Sequence, residues 1–271
     1  MINLTCLKKF QFPIHAGCIT PDNFQGKTLK EIAALEVWEG NKQKKLEDLF
    51  KIEETPAETP NITINGDASE VRRIGEAMKS GEIVINGDAG MHTGEKMAGG
   101  KITINGNAGG WTGGSMRGGL IEVHGNASDY LASPYRGSED GMCGGKIVVD
   151  GNVGSDSACY LQGGVIKIKG NAGPFLGYHM SDGTIHVAKN ADVRFGANMT
   201  GGKIVVSNTV KEIMPTFTID SIKPKVKIDE TDTVQGPFYV FLGDLAAKGT
   251  GKLFVSKVNN PQLGAIYEKY L

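Results

Sequence analysis

Apolar residues recur along this chain in a short, fixed frame. The segments ITINGDA, IVINGDA, ITINGNA, IEVHGNA, IVVDGNV, IKIKGNA, IHVAKNA and IVVSNTV align without gaps and start at residues 62, 83, 102, 121, 147, 166, 185 and 204. Their starts lie 21, 19, 19, 26, 19, 19 and 19 residues apart. Ile fills the first position of all eight and Ile or Val the third, while the residue between varies from Thr103 to Glu122 to His186. Apolar, variable, apolar is the pattern of a short strand with one buried face. Five residues before each Ile, from the second segment on, stands Met78, Met97, Met116, Met142, Leu161, Met180 or Met199. One long apolar residue per repeat, always in register, reads as core packing rather than a soft-metal site.

A nineteen-residue unit carrying so little apolar surface cannot bury its own inner face, whereas stacked copies share one interior. The pattern therefore predicts an all-β chain: a right-handed parallel β-helix, that is, a single-stranded solenoid of about eight 19-residue coils with small α/β end caps. The hand follows from the general preference of parallel crossovers, and the caps from the exposed strand edges that a stack leaves at each end. A left-handed hexapeptide helix would show an apolar residue every six positions, which this repeat does not. Glycine, 39 of 271 residues, is about twice its usual share of roughly 7%. Paired glycines such as Gly99-Gly100 and Gly-Asn pairs such as Gly106-Asn107 read as turns tolerant of positive φ. Three regions follow. Residues 1–58 form an N-terminal cap with short helices, including TLKEIAAL with a Thr28/Glu31 capping box and the amphipathic KKLEDLF, ending in the Pro-flanked linker EETPAETPN (53–61). Residues 59–208 hold the repeat, and 209–271 a cap with a partly extended tail.

Charge narrows the function classes. Lys plus Arg (29) nearly balances Asp plus Glu (30), so no basic stripe points to nucleic acid or an anionic membrane. The start MINLTCLKKFQF lacks the apolar core of a signal peptide and no apolar run reaches membrane-spanning length, which predicts a soluble cytoplasmic protein. Cys6, Cys18, Cys143 and Cys159 have neither C-x-x-C nor zinc-type spacing and are expected to be buried thiols. His15, His92, His124, His179 and His186 are scattered. His124 and His186 occupy tolerant columns expected to face solvent or an interface. No nucleophile motif occurs, and no ladder of aromatics or carboxylates of the kind that lines polysaccharide-active β-helices is read from the chain. No catalytic, cofactor-binding or metal-ligating residue is expected. The exception is the break in period before Ile147, where seven extra residues fall within SDYLASPYRGSEDGM (128–142). Tyr130, Tyr135, Arg136, Glu139 and Asp140 in this protrusion are the candidate interface residues, because tyrosine and arginine anchor binding surfaces.

The GG-x-I-x-V-x-GNAG repeat resembles the glycine-rich β-helix at the C-terminus of the glutamate synthase large subunit. PDNFQGKTLKEIAALEVWEGNKQKKLEDLF, IGEAMKSGEIVINGDAGMHTGEKMAGG and YRGSEDGMCGG are more specific and resemble the C subunit of formylmethanofuran dehydrogenase, or that of its relative, the formyltransferase/hydrolase complex. The likeness covers about residues 10–208. It implies a non-catalytic structural subunit of the complex that reduces CO2 and attaches the formyl group to methanofuran, the first step of methanogenesis from CO2. Its implied partners are a zinc-bearing amidohydrolase subunit, a metallopterin subunit with tungsten or molybdenum and an iron-sulfur cluster, and further iron-sulfur subunits. No cofactor is implied in this chain. A module coupling glutaminase and synthase activities stays open as the alternative.

Overall fold

The computed structural model describes residues 1–56 and 61–271; residues 57–60 of the expected linker lie outside it. The chain is mostly sheet with few helices. Each repeat contributes one strand to a single ladder: Ile62–Asn65, Glu82–Asn86, Lys101–Ile104, Leu120–Val123, Lys146–Val149, Gln162–Ile168, Asp182–Val187 and Lys203–Val206. Neighbouring strands pair parallel with Ile opposite Ile, from Ile62 beside Ile83 to Ile185 beside Ile204. A second parallel ladder of single bridges runs through Ala68, Ala89, Ala108, Ala127, Val153, Ala172, Ala191 and Val210.

The three apolar columns read from the sequence are buried throughout, the Ile, Ile/Val and Met/Leu positions each at 0–1% exposure. The structure adds two more inward columns. One is the alanine ladder; the other runs through Ile74, Thr93, Thr112, Leu131, Ser157, Leu176 and Phe195, all buried. Its hydroxyls are satisfied within their own repeats: Thr93 donates to the Gly90 carbonyl at 3.0 Å and Thr112 to that of Gly109 at 2.8 Å. A buried hydroxyl with a local acceptor costs little.

The Gly-Asn pairs exist for a different reason from the one expected. Gly100 does adopt φ +80°, but Gly106 does not lie in the left-handed region. A Cβ there would sit 2.6 Å from the carbonyl carbon of Gly87 in the repeat below, so glycine provides clearance. The following Asn builds a ladder. Asn126 donates its backbone N–H to Asn107 Oδ1 at 2.9 Å, Asn152 to Asn126 at 2.8 Å and Asn171 to Asn152 at 2.8 Å. Each side chain thus caps a backbone donor one repeat on.

The ladder continues past the repeat at both ends. Ile2–Cys6 pairs parallel with Ile62–Asn65 and antiparallel with Phe50–Glu54. Gly251–Ser256 pairs parallel with Lys203–Val206, followed by the antiparallel strands Thr233–Gly243 and Thr218–Lys227, completing a 13-stranded sheet. The Thr28/Glu31 capping box is present on the helix Leu29–Ala33. KKLEDLF is not a helix: Lys42–Lys45 is a strand and Leu46–Asp48 a single 3-10 turn. Pairing of Lys42–Lys45 with Glu36–Glu39 overrides its helical periodicity.

The C-terminal region is more than an extended tail. Its hairpin folds back over the outer face of the sheet, burying Val205 against Val226, Ile228 and Phe238. The hairpin turn is latched across the repeats. Asp229 reaches Lys146 at 2.9 Å and Lys167 at 2.8 Å, and Asp232 reaches Lys167 at 2.7 Å. His186, expected to face solvent or an interface, is half-buried, with Nε2 2.9 Å from Ser207 Oγ, and burial pushes its pKa down. His124 is exposed, 2.9 Å from Asp150. Among the cysteines only Cys159 is fully buried; Cys6 and Cys18 are half-buried, and Cys143 is exposed, against the expectation of buried thiols, because its repeat position faces outward.

This packing fixes the cost of two kinds of change. Ile102→Asp, which places an unpaired charge in the central ladder, lowers stability by more than about 3 kcal/mol. Glu122→Ala loses one exposed ion pair with Lys101 and costs under about 1 kcal/mol; comparable melting temperatures for the two variants contradict the register. At the hairpin, hydrogen bonds from Lys146 and then Lys167 hold the Asp229 carboxyl far below its usual range. Such a group stabilises the fold above its unfolded pKa and loses that contribution as pH falls. Asp229→Asn therefore melts below wild type at pH 7, and the gap closes as pH drops below about 4; a gap that widens in acid contradicts the latch.

Candidate functional site

Beyond the alanine ladder the backbone enters a strip of left-handed residues. In successive repeats Arg73, His92, Trp111, Tyr130, Asp156, Phe175 and Arg194 all have φ between 53° and 66°. Such a conformation costs a non-glycine residue roughly 1–2 kcal/mol. Hydrogen bonds between repeats offset the cost: His92 donates its N–H to the Gly110 carbonyl at 2.9 Å, Trp111 to Asp129 at 3.2 Å and Tyr130 to Ser155 at 2.9 Å.

Because parallel strands repeat at about 4.8 Å, equal positions in neighbouring repeats bring rings to stacking distance. His92 stacks on Trp111 with centroids 5.3 Å apart and planes 9° from parallel; Trp111 stacks on Tyr130 at 4.4 Å and 7°. This is an aromatic ladder, against the expectation that the chain has none. The signal was present as His92, Trp111 and Tyr130 spaced by nineteen residues, a column hard to see because its members differ in type.

An ionic base supports the stack. Glu95, 7% exposed, lies 2.7 Å from Arg73 Nη1 and 3.0 Å from His92 Nδ1. Burial alone raises the Glu95 carboxyl, but His92 and Arg73 outweigh it and hold the group below its ordinary value.

The inserted loop closes the other end. Tyr135, 60% exposed, leans over His92 and Trp111 with centroids 5.9 and 5.8 Å away. Arg136 Nη2 donates to the Tyr130 hydroxyl at 3.1 Å, and its guanidinium lies 5.7 Å from the same ring. Glu139 and Asp140 anchor the loop by backbone only: Gln162 Nε2 donates to the Glu139 carbonyl at 2.9 Å and Ser115 Oγ to that of Asp140 at 2.5 Å. The structure thus gathers Tyr130, Tyr135 and Arg136 on one stack and holds Glu139 and Asp140 further along the same loop by their backbone carbonyls.

A second aromatic group lies beside it, on a parallel left-handed column four residues further on that includes Tyr160 and His179. Tyr160 stacks on His179 at 4.8 Å, and Tyr178 meets His179 edge-on at 4.3 Å. Between the two groups lies a hollow of about 280 Å³ lined by Tyr130, Tyr135, Tyr160, Tyr178 and Asp156. It adjoins one of about 230 Å³ that reaches His179 and Asn198, with Glu139 and Tyr160 shared by both. Cys159 forms part of the first wall, but burial raises its thiol to about 12, so it is no nucleophile at neutral pH. Among the described residues no three His, Cys, Asp or Glu side chains converge on one point. The arrangement suits binding: ring faces, an arginine and carboxylates on a rigid backbone.

No family model matches the chain. It is 51% identical over 257 residues to the C subunit of the tungsten-containing formylmethanofuran dehydrogenase 2 of Methanococcus maripaludis, covering 93% of this chain and 94% of that protein. It is 50% identical over 82 residues to the C subunit of the molybdenum-containing formylmethanofuran dehydrogenase 1 of Methanothermobacter thermautotrophicus, covering 30% of this chain and 20% of that protein. One polypeptide in the crystal structure of the formyltransferase/hydrolase complex of Methylorubrum extorquens, solved with methylofuran, superimposes with a TM-score of 0.84 at 25% identity, covering 94% of this chain and 99% of that one.

The stack makes a spectroscopic prediction. In a Trp38→Phe background, where Trp111 is the sole indole, Tyr135→Ala red-shifts the emission and raises acrylamide quenching while the melting temperature barely moves. Unchanged emission means that Tyr135 does not cover the ladder in solution.

Proposed function

This chain belongs to the family of formylmethanofuran dehydrogenase C subunits, and from that premise we propose that it is the non-catalytic scaffold of its complex. In this reading residues 59–208 form a right-handed parallel β-helix, flanked by caps at 1–58 and 209–271. Its rigid column holds the metallopterin and amidohydrolase subunits, with iron-sulfur subunits attached, so that formate made at one site reaches the other. The complex works in the cytoplasm, and tungsten or molybdenum pterin, iron-sulfur clusters and zinc belong to the other subunits.

The observation that carries the reading is the continuous in-register core, which leaves this chain rigid with its chemistry-bearing side chains spread along an outer strip. The residues on that strip do not fit a resident metal. The buried acid on it, Glu95, is already paired with Arg73 and His92. The family relatives and the inserted loop favour this reading over a module coupling glutaminase and synthase activities.

The test is reconstitution with and without this chain. The scaffold reading expects the isolated chain to fold without metal and without activity. It expects the coupled CO2 reduction to fall at least tenfold when the chain is omitted while formate production at the metallopterin subunit persists. Full coupled activity without the chain overturns it. Within the assembled complex, Tyr135→Ala weakens association by roughly 2–4 kcal/mol if the ring is buried at an interface centre, measured as the fraction of chain that co-purifies with its partners.

A further inference from the structure

The hollow beside the inserted loop identifies the kind of partner it accepts, an inference that rests on the scaffold reading and deepens it. Its walls are the faces and edges of Tyr130, Tyr135, Tyr160 and Tyr178, which supply contact area at low conformational cost and attract cations to their ring faces. Around them stand Glu139 and Asp156. Neither carboxylate has a side-chain hydrogen bond or ion pair among the described residues, so both are open to a cation entering the hollow. The one cation at the hollow among the described residues, Arg136, donates to the Tyr130 hydroxyl and attracts Asp156 only at longer range, with no ion pair formed. The groove is therefore aromatic in its walls and acidic at its rim.

We propose that this groove docks a basic segment of a partner subunit, with a lysine or arginine side chain lying against the tyrosine rings and its charge meeting Glu139 and Asp156. The complementarity selects the occupant. An acidic or neutral segment would leave the two carboxylates uncompensated, whereas a cation between ring faces and carboxylates is held by both. Rim carboxylates also steer the encounter, so association weakens with salt. Two features of the groove favour a preformed site. One wall residue, Tyr130, sits in the left-handed strip and is fixed by donating its N–H to the Ser155 carbonyl at 2.9 Å. Its opposite wall, Ser133, is pinned by donating to the Asp156 carbonyl at 2.6 Å and accepting from Cys159 N–H at 2.9 Å.

The experiment measures the affinity of the full-length chain for the remaining subunits of the complex, at low and physiological salt, for wild type and two charge variants of unchanged melting temperature. Glu139→Lys/Asp156→Lys is expected to weaken binding at least tenfold. Arg136→Glu is expected to leave it within threefold or tighten it, and wild-type affinity falls as salt rises. If the double reversal does not fold, Glu139→Gln/Asp156→Asn replaces it, with a loss of at least threefold expected. Tightening by the carboxylate variant together with weakening by Arg136→Glu overturns the proposal in favour of an acidic occupant, and equal weakening by both overturns it in favour of an uncharged one. No change in either variant overturns it in favour of docking elsewhere. If binding is intact in both variants while omission of the chain still abolishes coupled turnover, the scaffold reading stands and the basic-segment docking falls.

Discussion

In-register stacking of one repeat on the next is the constraint from which the rest of the structure follows. Each Ile column is fully buried, and the parallel pairing of Ile with Ile holds from Ile62 to Ile204. A slip of one residue would turn every ladder Ile outward. The same close approach dictates which residues are allowed between the strands. Where the backbone of one repeat lies against the next, as at Gly106, no Cβ fits. Where it leaves a backbone donor without a partner, an Asn side chain from the neighbouring repeat supplies the acceptor. The Gly-Asn pairs are thus consequences of stacking, whereas the second glycine of each Gly-Gly pair ahead of a ladder Ile, such as Gly100, does adopt a turn conformation.

Stacking also converts sequence period into surface chemistry. A side chain placed outside the core at one position is brought within ring-stacking distance of its counterparts, so the outer strip becomes a continuous surface built on a backbone that cannot easily move. The left-handed conformations of His92, Trp111 and Tyr130 are held because neighbouring repeats bond their N–H groups. Local strain is a fair pointer to function only when such an outlier is observed, and here seven occur in one column. The inserted loop sits at the end of this stack, so its tyrosine covers rings that the regular repeats have already aligned.

Much of this architecture is legible without coordinates, because a buried column demands one residue class at one spacing. Ile62, Ile83 and their successors, the Met column and the capping box at Thr28 and Glu31 could be read directly. The buried column containing Thr93, Thr112 and Ser157 could not, since polar residues there are satisfied by carbonyls of their own repeat and carry no apolar signal. The fold-back of the C-terminal hairpin was hidden for another reason. Its latch joins Asp229 to Lys146, 83 residues apart, and no local pattern announces a contact at that separation. For the candidate site, four of the five residues named in the insertion, Tyr130, Tyr135, Arg136 and Glu139, line one hollow, whereas the stacked His92 and Trp111 beside them were missed. A stacked column of His, Trp and Tyr shares planarity rather than identity, and a reading tuned to repeated residue types passes over it.

Hydrogen exchange, followed by mass spectrometry on the free chain and on the chain within its complex, tests most directly whether a preformed rigid stack presents a docking strip. The ladder strands are predicted to be strongly protected already in the free chain and unchanged on assembly, while residues 130–140 and the neighbouring turns at 156–160 and 175–179 gain protection. Ladder strands that exchange freely until the partners bind, or a strip whose protection is the same in both states, would contradict it.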